Sequence, residues 1–360
     1  MNRNFGLDII RVIALWIVLL VHANYTIDSL NPFSLGGVGM ELFFVLSGFL
    51  IGNNLIRDLG KDNSLTQVKA FLVKRWFKTL PLYYTILIVK FIFTKGEIGY
   101  NIIYYFFFLQ NNFYGVSFFG VTWSLVIEEW FYLFIPFYLY LIKKTSSHRI
   151  VLVLLSLAVL GSFILRIYFV LYRNTPFEGL NANVLVRAEP LILGVILAYL
   201  NNYFKSIYKV LEHVVFFVAG LLIMFGFLQY YTSLNSVENT INQNEFVRII
   251  IFAVMGLSIA LCTPYMATFK DFSTHNFVRK LIHTFVTKSS LYTYSIFLLH
   301  TFVYHYSFTY LTTGSHLVDF IIAVVLTYSI SFFSYEYFEE YFLSLRGKVI
   351  ERMKTRSAVN

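Results

Sequence analysis

The chain has 360 residues, of which 58% are hydrophobic and 13% charged, where a soluble domain carries about 25% charged residues. That composition excludes an ordinary soluble globular domain. A single cysteine, Cys262, excludes an intramolecular disulfide, and no zinc-type Cys/His spacing, P-loop or GxGxxG is present.

Runs of about 20 mostly apolar residues recur along the whole length and read as membrane helices. The expectation is an all-α polytopic protein with about ten spans, at 7–27, 37–57, 80–95, 117–142, 149–173, 184–204, 210–232, 246–266, 289–310 and 316–338. The segment 100–113 is too short and polar-ended to span and reads as an interfacial or re-entrant helix. The first apolar run carries Arg11 and lacks a small-residue cleavage site, so no cleavable signal peptide is expected. Residues 1–360 read as one membrane domain with no separate soluble domain.

With the N-terminus inside, 21 of the 28 Lys and Arg fall in inner loops and tails, two (Lys95, Arg173) in outer loops, and five within spans. That bias is what the positive-inside rule expects of an even number of spans, with both termini cytoplasmic in the inner (plasma) membrane. The net charge of +9 is thereby explained without nucleic acid as a partner.

Charges inside the spans come next. In "FGLDIIRVIALWIVLLVHANY" (5–25), Arg11 and His22 are eleven residues apart. Eleven helical steps return to within about 20° of one face and separate the two by about 16 Å. Asp8 sits where it can pair with Arg11. A snorkelling arginine with a structural histidine fits this helix as well as a functional pair does.

The second span, "GGVGMELFFVLSGFLIG" (36–52), carries Glu41 near its outer end, glycines that allow close approach, and a Ser47–Gly48 contact face. A carboxylate holding one imidazole nitrogen raises the basicity of the other, which would let Glu41 serve His22. A headgroup-level glutamate contacting water is the plainer alternative. Lys74, Arg75 and Lys78 cluster ahead of Pro81; positive-inside statistics and a phosphate anchor explain them equally. In "TWSLVIEEWFYLFIP" (122–136), Glu128 and Glu129 lie halfway across a span, where a carboxylate without a function is costly. His300 reaches a depth similar to His22, yet a lone histidine is more often a packing residue.

Taken together these pieces resemble the acyltransferase-3 family of ten-helix membrane acyltransferases. The resemblance rests on Arg11 and His22 in the first helix, on "GMELFFVLSGFLI" with Glu41 at the acidic position, on "VKRWFKTLPLYY", and on "TWSLVIEEWFYL" with Glu128 at the motif glutamate. Weaker echoes are "RAEPLILGVILAYL" and "SLYTYSIFLLH". Lys74 and Lys78 stand where that family usually has arginine, which makes bidentate phosphate binding there less assured.

The resemblance implies transfer of an acyl group, most often acetyl, from cytosolic acyl-CoA to a hydroxyl of a cell-envelope or exported glycan. The partners implied are acyl-CoA as co-substrate, a carbohydrate acceptor with or without a lipid carrier, and membrane lipids, with no bound cofactor or metal. Lys74, Arg75 and Lys78 would hold the coenzyme A phosphates, and Arg11 would orient the thioester arm. His22 would act as general base or carry the acyl group transiently, Glu41 would orient His22, and Glu128 would position substrate. A transporter or flippase of a lipid-linked glycan is the competing class. Against it stand the lack of an internal repeat and the crowding of polar residues into the first four helices.

Overall fold

A computed structural model describes residues 3–23, 32–112, 118–145, 147–235, 240–269 and 276–359. Expectations touching 24–27, 113, 117, Lys270 and the side chains of Lys354 and Arg356 lie outside the described residues. The described chain is all-helical, which is how a backbone in hydrocarbon satisfies its own N–H and C=O groups.

In chain order the helices are α1 (Phe5–His22), α2 (Pro32–Lys61), α3 (Leu65–Phe93), α4 (Ile102–Phe106), α5 (Trp123–Thr145), α6 (His148–Leu171), α7 (Phe177–Ala182) and α8 (Glu189–Tyr203). They continue as α9 (Lys205–Leu211), α10 (Val214–Asn235), α11 (Thr240–Gln243), α12 (Glu245–Ala267), α13 (Phe277–Tyr310), α14 (His316–Phe333) and α15 (Glu340–Val359). A π turn, Ser334–Glu339, joins the last two. Among the described residues eight helical stretches are long and apolar enough to cross a membrane, which makes the chain a polytopic membrane protein.

Two of the expected spans are not among the eight. The run 184–204 is helical only as α8, whose 15 residues give about 22 Å against the roughly 30 Å of hydrocarbon. Residues 184–187 are turn or bend, and Pro190 sits in the first turn of α8, where its missing N–H costs nothing. The run 289–310 lies in α13, which has ample length at 34 residues. Its serines, tyrosines and histidines make it too polar for that set. The third span differs as well. α3 begins fifteen positions before the expected start and runs through Pro81, so Lys74, Arg75 and Lys78 lie on the helix itself rather than ahead of it.

The chain divides into two compact units that alternate along the sequence. The first comprises Met1–Ile17, Phe33–Lys61 and Leu141–Ser290, the second Val18–Pro32, Asp62–Tyr140 and Leu291–Asn360.

In the first unit α8 is the central element, packed by α6 and α12 and buried along Leu191, Gly194, Val195 and Ala198. Its approach to α2 depends on glycine. A Cβ on Gly48 would fall 2.0 Å from the Leu191 carbonyl oxygen, and one on Gly194 would fall 2.2 Å from that of Val45. Of the expected α2 glycines, Gly48 makes this contact, whereas a Cβ on Gly37 would meet nothing within 4 Å. Forcing side chains into such a seam costs about 1–3 kcal/mol. Gly48→Val is therefore expected to lower the thermal midpoint of the detergent-solubilised protein, and Gly37→Val to leave it unchanged.

The outer side of α6 presents Ile150, Val153, Leu157, Leu160, Ile164, Tyr168 and Leu171 as exposed residues. Their 3–4 spacing makes a continuous apolar stripe suited to lipid. In the second unit α3 packs along α15 and against the π turn. The short α4 is tied to α3, because Tyr83 Oη donates to the Tyr105 carbonyl and Tyr84 Oη to that of Phe106, both at 2.9 Å.

Candidate functional site

Each unit holds its own set of buried polar side chains. In the first, Asp8 gathers the start of α1. Arg3 donates to it through Nε and Nη2, each at 3.0 Å, and Ser290 Oγ donates at 2.6 Å. The pair expected from the i,i+3 spacing forms, with Arg11 Nη1 3.4 Å from Asp8, and Arg11 also donates to Ser290 Oγ at 2.9 Å. Arg11 is thus held between α1 and the first half of α13.

Deeper in that unit lie four charged side chains. Arg187, in the turn before α8, donates to Glu41 Oε1, and Arg166 Nη1 donates to Glu189 Oε2 at 2.7 Å. All four residues are 2% exposed or less. Phe252 receives the Arg187 guanidinium over its ring at 3.8 Å, and Arg166 spends further donors on the Ile249 and Val186 carbonyls. The charges balance, two against two, which is how hydrocarbon tolerates them. Glu41, expected to orient His22, here takes Arg187 as its partner. Neither Arg166 nor Arg187 stood out in the sequence, although "RAEPLILGVILAYL" contains Arg187 and Glu189.

The second unit contains the basic motif and the glutamate pair. Arg75 turns inward, its guanidinium 4.1 Å from the Tyr132 ring centroid and facing the charges of Glu129 and Glu128. Its Nε is buried without a hydrogen-bond partner among the described residues. Tyr294 of α13 closes the group by donating to the Thr79 carbonyl at 2.6 Å. Lys74 is half-buried and Lys78 exposed, and Lys78 lies within electrostatic reach of Glu339. The three basic residues therefore divide between an inward arginine and lysines nearer the surface.

Next to Arg75 is a cavity of about 420 Å³, walled by Trp76, Leu80 and Tyr84 of α3, Glu129, Trp130 and Leu133 of α5, and the bend 106–109. Trp130 Nε1 donates to the Phe108 carbonyl at 2.8 Å, and Tyr84 is spent on Phe106. Glu129 keeps an acceptor in hand, its Oε2 having no hydrogen-bond partner among the described residues. The motif resemblance pointed to Glu128, and the cavity adds Glu129. Adjacent helical residues point about 100° apart, so only the packed helix shows which of the two lines the wall.

At the end of α1, His22 Nδ1 lies 2.9 Å from the Val18 carbonyl oxygen. A carbonyl only accepts, so Nδ1 carries the proton and Nε2 keeps its lone pair. His300 of α13 meets His22 edge to face, with ring centroids 4.8 Å apart at 72°. Its depth was legible in the sequence, whereas this pairing, between helices nearly 280 positions apart, was not.

Comparison with known proteins adds three relatives. A family model described as "Acyltransferase domain" matches residues 4–336. The chain is 32% identical over 187 residues to the peptidoglycan O-acetyltransferase OatA of Listeria monocytogenes, covering 46% of this chain and 29% of that protein. It is 27% identical over 378 residues to a Staphylococcus aureus protein named "Putative O-acetyltransferase", covering 98% and 59%. It is 32% identical over 161 residues to a "Putative acetyltransferase" of Acidianus two-tailed virus, covering 41% and 46%. The chain thus spans between about a third and three-fifths of the length of these curated relatives. No solved structure matches it.

Proposed function

Because the chain belongs to the family of that acyltransferase domain, we propose that it is a membrane O-acyltransferase. It moves an acyl group, acetyl in the first instance, from cytosolic acyl-CoA to a hydroxyl of a cell-envelope or exported glycan. Both bacterial relatives are named as O-acetyltransferases, one of them for peptidoglycan. In this reading residues 1–360 act as one membrane domain of about ten spans in the inner (plasma) membrane, both termini cytoplasmic, as the distribution of Lys and Arg favours.

The observation that carries the chemistry is the tautomer of His22. With Nδ1 committed to Val18, Nε2 is an acceptor that can take the proton of the attacking hydroxyl. The hydroxyl oxygen bonds to the thioester carbonyl carbon, the C–S bond breaks, and the proton passes from Nε2 to the departing thiolate. Arg75, with Lys74 and Lys78, is the proposed anchor for the coenzyme A phosphates. Arg is suited to that task by its forked donors and Lys by its charge. Glu128, with Glu129 beside it, is proposed to position substrate. Arg11 is assigned to the thioester arm and Glu41 to the acidic position of its motif. Each is held by its neighbours, Arg11 by Asp8 and Ser290 and Glu41 by Arg187.

The test is mass spectrometry of surface polysaccharide from cells with and without the chain. Polymer of normal amount that loses acyl groups with the chain is the expected result, and the mass lost identifies the acyl group. Polymer missing from the surface, or held inside, would replace this reading by that of a glycan transporter.

A further inference from the structure

We infer that His300 is a positioning residue for the His22 base, holding the lone pair that meets the proton His22 takes up. The inference rests on the acyltransferase reading above and adds a residue to it.

Three observations converge. The two imidazoles are in contact, edge to face at 4.8 Å between centroids. Both rings are fixed in one tautomer by backbone carbonyls. His22 Nδ1 is bound to Val18, while His300 Nδ1 lies 2.7 Å from the Phe297 oxygen and 3.1 Å from that of Ile296. Each ring therefore carries its proton on Nδ1 and its lone pair on Nε2. Finally, His300 is fully buried, and its Nε2 has no hydrogen-bond partner among the described residues. Tyr304, one turn further along α13, lies edge-on at 5.8 Å. Its hydroxyl is likewise buried without a hydrogen-bond partner among the described residues.

A buried acceptor left empty is unfavourable, and native structures normally fill it. Here the empty acceptor borders the one group whose charge changes during the proposed reaction. While His22 is neutral, the two rings present lone pairs and satisfy nothing. Once His22 Nε2 has taken the hydroxyl proton, the ring is cationic and a donor, and the His300 ring against it holds a buried Nε2 with no hydrogen-bond partner among the described residues to accept from it. The contact favours the proton-carrying state over the resting one, which is the kind of interaction that raises kcat rather than tightening substrate binding. His300 gains and loses no proton overall, because the proton leaves on the thiolate.

The experiment measures thiol release from acetyl-CoA in inverted membrane vesicles of cells that make the acceptor polymer, for the full chain and its variants. Rates are normalised to folded protein measured by size exclusion in detergent. His300→Gln returns an acceptor oxygen to the Nε2 position, whereas His300→Leu fills the space without one. The Leu variant is expected to lose about 10- to 100-fold in kcat with the acetyl-CoA KM within about threefold. The Gln variant should recover most of that loss. A purely structural role would lower both variants alike, in step with the amount folded, and that result overturns the inference. Wild-type kcat in the Leu variant overturns it too. If the Leu variant does not reach the membrane, His300→Asn, which keeps the near donor and lacks the distal acceptor, takes its place. His22→Ala, run in parallel, separates the two levels. An inactive His22 variant beside a normal His300→Leu removes this inference alone, and an active His22 variant removes the base assignment beneath it.

Discussion

Arg187→Met is expected to destabilise the protein by about 3–5 kcal/mol, the usual cost of leaving one member of a buried ion pair without the other. Both Glu41 and Arg187 are 2% exposed or less, so neither can turn to water. The substitution strips the Glu41 carboxylate of its partner and removes the cation stacked 3.8 Å from the Phe252 ring. The drop would be read as a lower midpoint in detergent unfolding and less protein in the membrane. Arg166 makes no hydrogen bond to Glu41 among the described residues, its Nε and Nη1 being held by Glu189 and two backbone carbonyls.

The double variant Glu41→Leu with Arg187→Met makes the prediction discriminating. Removing both charges for apolar groups of similar size is commonly neutral or stabilising, so the double variant should regain most of the lost midpoint. Should the single variant prove as stable as the native protein, the pair is not the charge-balanced unit described above. Should the double variant fold and retain full transfer, Glu41 serves only to balance Arg187, and its place in the catalytic motif falls.

Much of this architecture was legible in the residues, and the parts that were not share a physical cause. Apolar run length gave an all-helical membrane chain, because lipid imposes a length and a polarity that composition displays directly. Two of the expected spans are not among the eight stretches long and apolar enough by themselves: 184–204 contains a turn, and 289–310 carries serines and tyrosines such as Ser289, Tyr292 and Ser295 that are buried inside the protein. Local spacing gave the Asp8–Arg11 pair, since three residues fix a helical neighbour. Nothing local could give Glu41–Arg187, whose members are 146 positions apart, or the meeting of His22 with His300. Such pairs depend on which helices pack together, and the packing of α2 on α8 turns on Gly48 and Gly194, whose sequence neighbours do not reveal the partner. The glutamate pair shows the same limit at short range. A motif can single out Glu128, but the cavity wall formed by Glu129 exists only once α3, α5 and the 106–109 bend come together.

His22→Ala should separate chemistry from folding in the opposite sense to Arg187→Met. His22 is the last residue of α1 and only half-buried. Its side chain makes one local hydrogen bond, to a carbonyl of its own helix. The next residue, Ala23, still closes the helix through its N–H to Leu19 at 3.1 Å. Removing the imidazole therefore leaves the fold nearly untouched, and membrane levels should match the native chain. General-base catalysis contributes about 10²–10⁴-fold, so acyl transfer should fall by that factor while the KM for acetyl-CoA, set by the proposed phosphate anchors, stays close to native. Both quantities come from initial rates of thiol release at matched protein levels. A parallel fall in abundance and rate would mean that His22 is structural. Full activity at native abundance would move the proton acceptor elsewhere in the molecule, and the eleven-residue spacing of Arg11 and His22 would then have no catalytic meaning. Loss of rate alone, set against the loss of stability alone expected of Arg187→Met, would divide the buried polar residues by function. The ring at the end of α1 would carry the reaction, and the paired charges beside α8 would hold the helices through which it is carried out.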